Sequence, residues 1–357
     1  MLQKIKHFKP RTWLTIGTLV LLVLVVFFGR SEIVRAFGLL GKVDLRILAL
    51  LIPVQLLSYY AVGGTIFSYL RAKGNLQSTG RWAIARMALE LNFVNHILPS
   101  GGAAGFSYLA WVLNRYGVSP GRATLAQLIR FALTFITFIG LLIVSVIFVA
   151  LDTGVSRFIL LLSSGLVATV VFGLLFLTYV IGSESRMQGF ARWLTLAVNK
   201  LVRKVTFGRI PKVLKIAVLE KFFQELHNDF RELKSEKRIL VRPVIWALVA
   251  NIADVALLWI TFASFGAYIN PAVLLIGFGV SGALAAISIT PGGTGVYEAV
   301  MILFLGSAGV SPDIAIAGTL LTRVILLIGT IGFGYVFYQL TIIKYGKKAS
   351  DFVHARK

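Results

Sequence analysis

Apolar residues run along most of this chain, and the polar stretches between the runs are short. Apolar segments cover residues 13–28, 47–70, 82–98, 103–113, 124–151, 157–181, 244–268, 272–290, 296–308 and 314–343. Several reach the roughly 20 residues that an α-helix needs to cross a hydrocarbon core. Four of the segments are short or broken, and they form two pairs: 82–98 with 103–113, and 272–290 with 296–308. Each pair flanks a proline- and glycine-rich break, which predicts two re-entrant helical hairpins, 82–113 and 272–308. Each hairpin would enter the membrane, turn inside it and leave by the same face.

The two breaks read as copies of each other. The first is Leu98-Pro-Ser-Gly-Gly-Ala-Ala-Gly105, followed by Gly117-Val-Ser-Pro120 and then Arg130. The second is Thr290-Pro-Gly-Gly-Thr-Gly295, followed by Gly309-Val-Ser-Pro312 and then Arg323. Interrupted hydrophobic segments at matching places in two halves point to a binding site in a repeat-built transporter.

Composition supports a membrane class. The chain is 57% hydrophobic and 14% charged, against about a quarter charged in soluble domains. The basic stretch Lys4–Arg11 before the run 13–28 resembles a signal peptide, but no small-residue cleavage pattern follows, so a retained first helix is expected. With no cysteine and only four scattered histidines, disulfide frameworks and metal clusters are not expected. The net charge of +22 reads as membrane orientation and attraction to anionic lipid. No motif of the nucleic-acid readers is present.

Charge placement sets the expected topology. With a cytoplasmic N-terminus, loops 1–12, 71–86, 114–122 and 183–242 and the tail 344–357 fall inside and carry 29 of the 36 Lys and Arg. The outside loops 29–46, 152–157 and 269–313 carry 5, and Arg130 and Arg323 lie in the membrane. This bias fits the positive-inside rule and places both termini in the cytoplasm. The hairpins then enter from opposite faces, so the halves 1–182 and 243–357 are inverted repeats. The expected fold is an all-α polytopic membrane protein with about six full spans and two hairpins. Between the halves, 183–242 reads as a cytoplasmic linker. Met187, Phe190, Leu194, Val198, Leu201 and Val205 recur at helical spacing, as do Ile216, Leu219, Phe223, Leu226, Phe230 and Leu233. Such amphipathic helices lie on a membrane surface or pair with each other.

The candidate chemistry is in the breaks and the buried charges. A helix that stops inside the membrane leaves backbone groups that need protein, water or a polar ligand. Gly101, Gly102, Gly292, Gly293 and Gly295 allow tight turns, and the half-helix that follows presents a partly positive N-terminus suited to a phosphate. A kink with no ligand is the alternative. Glu90, Arg130, Asp254, Glu298 and Arg323 lie in apolar segments, where ionisable residues are paired or functional. Arg130 is about 12 Å past Arg122 along its helix and Arg323 about 14 Å past Asp313, so both approach the midplane. Glu298 is placed to pair with Arg323, and Arg130 to hold a headgroup phosphate or pair with Glu90. Internal salt bridges are the alternative for these charges. Asp254 also suits a hydrogen bond to Asn251 or a Ser or Thr. Arg86 reads as interfacial, and His96 as a polar residue near the first tip. No Gly-x-Ser-x-Gly elbow, Walker loop or His-Glu-x-x-His is present, so no catalytic residue is named and an enzyme is not expected.

Pro291-Gly-Gly-Thr-Gly-Val-Tyr-Glu298, Gly309-Val-Ser-Pro312 and Thr319-Leu-Leu-Thr-Arg323 together resemble the C-terminal signature of the lysylphosphatidylglycerol synthase transmembrane, or flippase-like, family. Asn92-Phe-Val-Asn-His-Ile-Leu-Pro-Ser-Gly-Gly102 resembles its N-terminal signature. The resemblance covers nearly the whole chain. It implies a module that moves an aminoacylated phospholipid across the cytoplasmic membrane, usually fused to a soluble aminoacyl-transferase. The chain ends at Lys357, just after its last apolar segment, so synthase activity is not expected. Two departures separate it from the family pattern. Phe106-Ser-Tyr-Leu-Ala-Trp111 lacks the acidic and basic residues often found after the first break, and that break carries one residue more than the second.

The reading is therefore a lipid translocase that uses no cofactor and no metal. Its headgroup-binding set is Arg130, Arg323, Glu298, Gly292, Gly293, Gly295, Gly101 and Gly102, with Glu90, His96 and Asp254 as supporting polar residues. The partners are membrane lipids, with a homo-oligomer and a separate lipid-modifying enzyme left open. A secondary transporter of a small solute, a membrane-embedded lipid transferase and a scaffold without transport are the alternatives.

Overall fold

The computed structural model describes residues 30–97, 103–151, 182–205, 237–287 and 293–345, together with residue 27 and scattered positions between 161 and 180. Eleven α-helices and no strand occur among the described residues. In chain order they are α1 (Arg30–Leu39), α2 (Leu45–Leu48), α3 (Leu51–Ala72), α4 (Arg81–Ile97), α5 (Ala103–Asn114) and α6 (Pro120–Leu151). Then follow α7 (Glu184–Val205), α8 (Val241–Ser264), α9 (Pro271–Ile287), α10 (Val296–Ser307) and α11 (Pro312–Tyr345).

Four stretches are long and apolar enough to cross a membrane: Leu45–Ala72, Pro120–Phe148, Arg238–Ser264 and Pro312–Ile343. The expected spans at 13–28 and 157–181 lie, wholly and largely, outside the described residues. So do the amphipathic run 216–233 and the break residues Gly101, Gly102 and Gly292. In the stretch 29–46, read from the sequence as a loop, residues 30–42 form α1 and a short helical turn instead, and α1 packs on α11. Asp44 helps end that segment: its side chain caps α2 at Arg46 N–H, and its own N–H donates to the Ser264 carbonyl at 2.8 Å.

The duplicated Gly-Val-Ser-Pro turns fold alike. Gly117 and Gly309 hold φ of 76° and 86°, a left-handed conformation that closes the preceding helix at little cost for glycine. Val118 N–H then reaches back to the Leu113 carbonyl, and Val310 N–H to that of Leu305, at 3.1 and 3.0 Å. Pro120 and Pro312 start α6 and α11, where a missing N–H does no harm.

Both broken pairs fold back on themselves. In the second, Gly277 faces Met301 and Phe304 while Gly293 faces Ala285, so α9 and α10 run antiparallel. In the first, Gly105 faces Asn95, and Tyr108 bonds Glu90. A helix precedes each hairpin (α3, α8) and a long helix follows it (α6, α11). α3 and α8 cross antiparallel along their length, with Ser58 on Asp254 and Gly64 against Trp246. The hairpin arms then exchange partners: α4 packs on α11, and α9 packs on α6.

The burial pattern follows. One apolar core gathers the first hairpin with Tyr338 and Ile342 of α11. A second gathers the other hairpin with Phe138 and Leu142 of α6. Exposed apolar stripes such as Ile136, Ile143 and Ile147 on α6, and Ile245, Leu248 and Ile252 on α8, face outward. Apolar surface of that extent is what a lipid-facing helix presents.

Candidate functional site

Gly293 and Gly295 build the second tip with φ of 69° and 86°, a region that L side chains avoid. Gly293 also lies against Ala285 with no room for a Cβ. Glu298 stands in the first turn of α10. Its Oε2 accepts the Gly295 backbone N–H at 2.6 Å, as a capping carboxylate does. Its Oε1 accepts from Arg323 Nε at 2.8 Å. The Arg323 guanidinium also lies 4.7 Å from the Tyr297 ring centre. The expected anion site at this helix N-terminus is thus partly filled by the protein's own carboxylate. Arg323 keeps 32% of its side-chain surface.

Arg130 has a different environment. It is 9% exposed, its Nε has no hydrogen-bond partner, and its guanidinium lies 3.9 Å from the Phe131 ring centre. No carboxylate pairs with it among the described residues. Glu90, one of its two expected partners, is held elsewhere. Glu90 is fully buried, accepts the Thr341 hydroxyl and the Tyr108 hydroxyl at 2.6 Å each, and pairs with Arg86 Nε at 3.1 Å. Arg86, read as interfacial, is therefore half-buried and anchored, and Glu90 ties α4, α5 and α11 together away from Arg130. Glu90 is not the partner of Arg130, because Arg86 stands one turn away from it on the same helix.

His96 near the first tip lies within electrostatic reach of both Arg323 and Arg130. Its Nδ1 donates to the Asn92 carbonyl at 2.8 Å, and its side chain is exposed. Asp254 accepts the Ser58 hydroxyl at 2.6 Å and lies within electrostatic reach of Tyr297. Asn251, its alternative expected partner, bonds the Thr134 carbonyl and Thr137 Oγ1 at 2.9 and 2.8 Å. Arg130 and Arg323 are thus linked through His96, Tyr297 stands near Arg323, Glu298 and Asp254, and Glu90 is tied to Arg86 instead.

Several polar residues here were not singled out from the sequence. Gln127, one turn before Arg130, is fully buried with neither amide atom bonded, and Thr319, one turn before Arg323, is fully buried with an unbonded hydroxyl. Their matching places, each one turn ahead of the repeated arginine, are a signal the sequence does contain. Tyr59 bridges Gln55 and Thr330 between α3 and α11, a contact across 271 residues that no local pattern announces.

A buried guanidinium without a protein anion is unfavourable unless a ligand supplies one.

The family model described as lysylphosphatidylglycerol synthase TM region matches residues 14–334. A UPF0104 membrane protein of Methanothermobacter thermautotrophicus is 24% identical over 335 residues, which is 90% of this chain and 91% of that protein. A second, from Methanocaldococcus jannaschii, is 24% identical over 355 residues, or 96% and 97% of the two chains. A third, from Pyrococcus horikoshii, is 26% identical over 170 residues, about half of each chain (47% and 50%). With most of its length matched and all its described elements helical, the chain is a membrane protein that belongs to the lysylphosphatidylglycerol synthase TM region family.

Proposed function

We propose that this protein is a lipid translocase. An anionic headgroup enters between the two halves while its acyl chains stay in the bilayer. The observation that carries the reading is Arg130: a cation about nine-tenths buried (9% exposed), without a carboxylate partner among the described residues, and within electrostatic reach of His96 as Arg323 is. The exchanged packing of the hairpins adds to it. In this reading both hairpins are re-entrant, the halves are inverted repeats, and the site lies near the midplane where they meet. The termini and the linker 183–242 face the cytoplasm, and α7 lies along the anionic surface with Trp193 and Leu196 toward lipid. The protein performs no group transfer. A separate enzyme supplies the modified headgroup.

The structure shifts the weight between the two arginines. Arg323 shares its charge with Glu298, whereas Arg130 has its full charge available. Reconstitution with a fluorescent phosphatidylglycerol, read by dithionite accessibility, tests the roles. Arg130→Ala is expected to lower flipping at least tenfold while the protein stays folded by size exclusion, and Arg323→Ala to do the same. Unchanged flipping in both variants would sink the assigned roles. Uptake of a soluble phosphate ester without lipid movement would favour a solute transporter instead.

A further inference from the structure

Arg130 and Arg323 each lie over an aromatic ring, but only Arg323 has a carboxylate as well. The Arg323 guanidinium is 4.7 Å from the Tyr297 ring centre, and its Nε is 2.8 Å from Glu298. The Arg130 guanidinium is 3.9 Å from the Phe131 ring centre, and its buried Nε bonds to nothing. The Phe131 ring in turn stacks on Phe106 of α5, with centres 5.7 Å apart and planes inclined by 21°. Phe106 is therefore no farther from the Arg130 guanidinium than those two distances together allow.

The repeat gives Phe106 a counterpart. Counted back from the proline of the repeated Gly-Val-Ser-Pro turn, Phe106 and Glu298 hold the same place, fourteen residues before Pro120 and Pro312. Both stand in the first turn of the 12-residue helix that follows a break, α5 or α10. The arginines follow the same prolines by ten and eleven residues. The first copy offers no substitute for the missing carboxylate. The α6 helix carries no acidic residue. Hairpin 82–113 carries one, Glu90, which is held by Arg86, Tyr108 and Thr341.

The two residue types have different electrostatic consequences. A carboxylate neutralises a guanidinium within the protein. An aromatic ring attracts the cation through its quadrupole and fixes its place, yet leaves its unit charge uncancelled. Phe106 and Phe131 are both half-buried, so the pair also keeps water from that side of Arg130. A desolvated charge is costly until an anion meets it. We propose that Phe106 is a specificity-determining position for the headgroup. With Phe131 it gives Arg130 an aromatic setting where the second copy has a carboxylate, so the counter-ion of Arg130 comes from the ligand. The ligand class is a phosphate-bearing headgroup of net negative charge. A zwitterion such as phosphatidylcholine carries its own cation and leaves Arg130 unbalanced. This inference rests on the anionic-headgroup reading above.

Glu and Gln at position 106 have nearly the same shape and differ in charge, so comparing them tests the proposal. Native mass spectrometry of the protein in detergent reads the binding of phosphatidylglycerol and phosphatidylcholine. Phe106→Glu should bind phosphatidylglycerol about tenfold or more weakly than Phe106→Gln, the loss of a charged hydrogen bond. The difference should be much smaller for phosphatidylcholine. Thermal unfolding gives a second measurement that needs no lipid. The Glu variant should gain stability relative to the Gln variant when Arg130 is present, and lose that gain in an Arg130→Ala background. No coupling between positions 106 and 130, or equal phosphatidylglycerol binding by the two variants, would overturn the proposal. Coupling in unfolding with lipid binding but no flipping in vesicles would keep the role of Phe106 and remove the translocase reading. The same Glu–Gln difference for inorganic phosphate, with no lipid bound, would keep that role and make the ligand a soluble phosphate.

Discussion

Glu298 and Arg323 are joined by an ion pair of 2.8 Å that bridges the start of α10 to the middle of α11. The other oxygen of the same carboxylate caps Gly295. One side chain therefore sets the turn geometry of the second tip and the position of a membrane arginine. Replacing Glu298 with Ala removes both. Loss of one partner of a buried pair costs about 3–5 kcal/mol. Because Arg323 stays partly accessible, a smaller loss, about 2–3 kcal/mol, is expected. Thermal unfolding in detergent should show the loss, and Glu298→Gln should recover part of it through the cap.

Glu90 tests the opposite idea, that a buried charge is purely structural. It accepts hydrogen bonds from Tyr108 and Thr341 and is paired in charge with Arg86 at once. Glu90→Ala leaves those groups without their acceptor and should cost about 3–5 kcal/mol. Lipid preference among the molecules that still fold should be unchanged. A change in headgroup selectivity at wild-type stability would contradict the separation of this cluster from the Arg130 neighbourhood.

Gln127 and Thr319 carry buried polar atoms with no partner, which costs about 1–3 kcal/mol each. Gln127→Leu and Thr319→Val should therefore raise the unfolding temperature. If these groups meet a hydrated or ligand-bound state during transport, the same variants should flip lipid more slowly. A stable variant with full flipping rate would make them bystanders.

Gly293 and Gly295 separate backbone strain from crowding. Both hold positive φ, but only Gly293 faces a neighbour with no room for a Cβ. Gly295→Ala should cost about 1–2 kcal/mol for the left-handed conformation. Gly293→Ala adds a steric clash with Ala285 and should be the more damaging in the same unfolding measurement.

Single cysteines can test the topology, since the chain contains none. Probes in the turn after α3 (Lys73–Thr79) and the turn after α5 (Arg115–Ser119) should label from one face. Probes in the turn after α8 (Gly266–Asn270) and the turn after α10 (Ala308–Ser311) should label from the other. Labelling of the two turns of one hairpin from different faces would show that the hairpin crosses the membrane.

The sequence by itself determined the helical membrane class, the two breaks, the repeated turns and the helix bounds to within a few residues. These are local properties, set by apolar run length, by proline without an N–H and by glycine at positive φ. It also anticipated that Glu298 is placed for Arg323, because a capping carboxylate and an arginine recur around one short hairpin. Only the tertiary structure decided which buried charges meet. Glu90 reaches Arg86, Tyr108 and Thr341 rather than Arg130, and Asp254 takes Ser58 from across the contact between the halves. Such pairings depend on which helices cross and at what height. In a low-dielectric interior every polar group competes for the nearest partner in space. That is why Arg130 has no counter-charge among the described residues, a fact no spacing along the chain discloses.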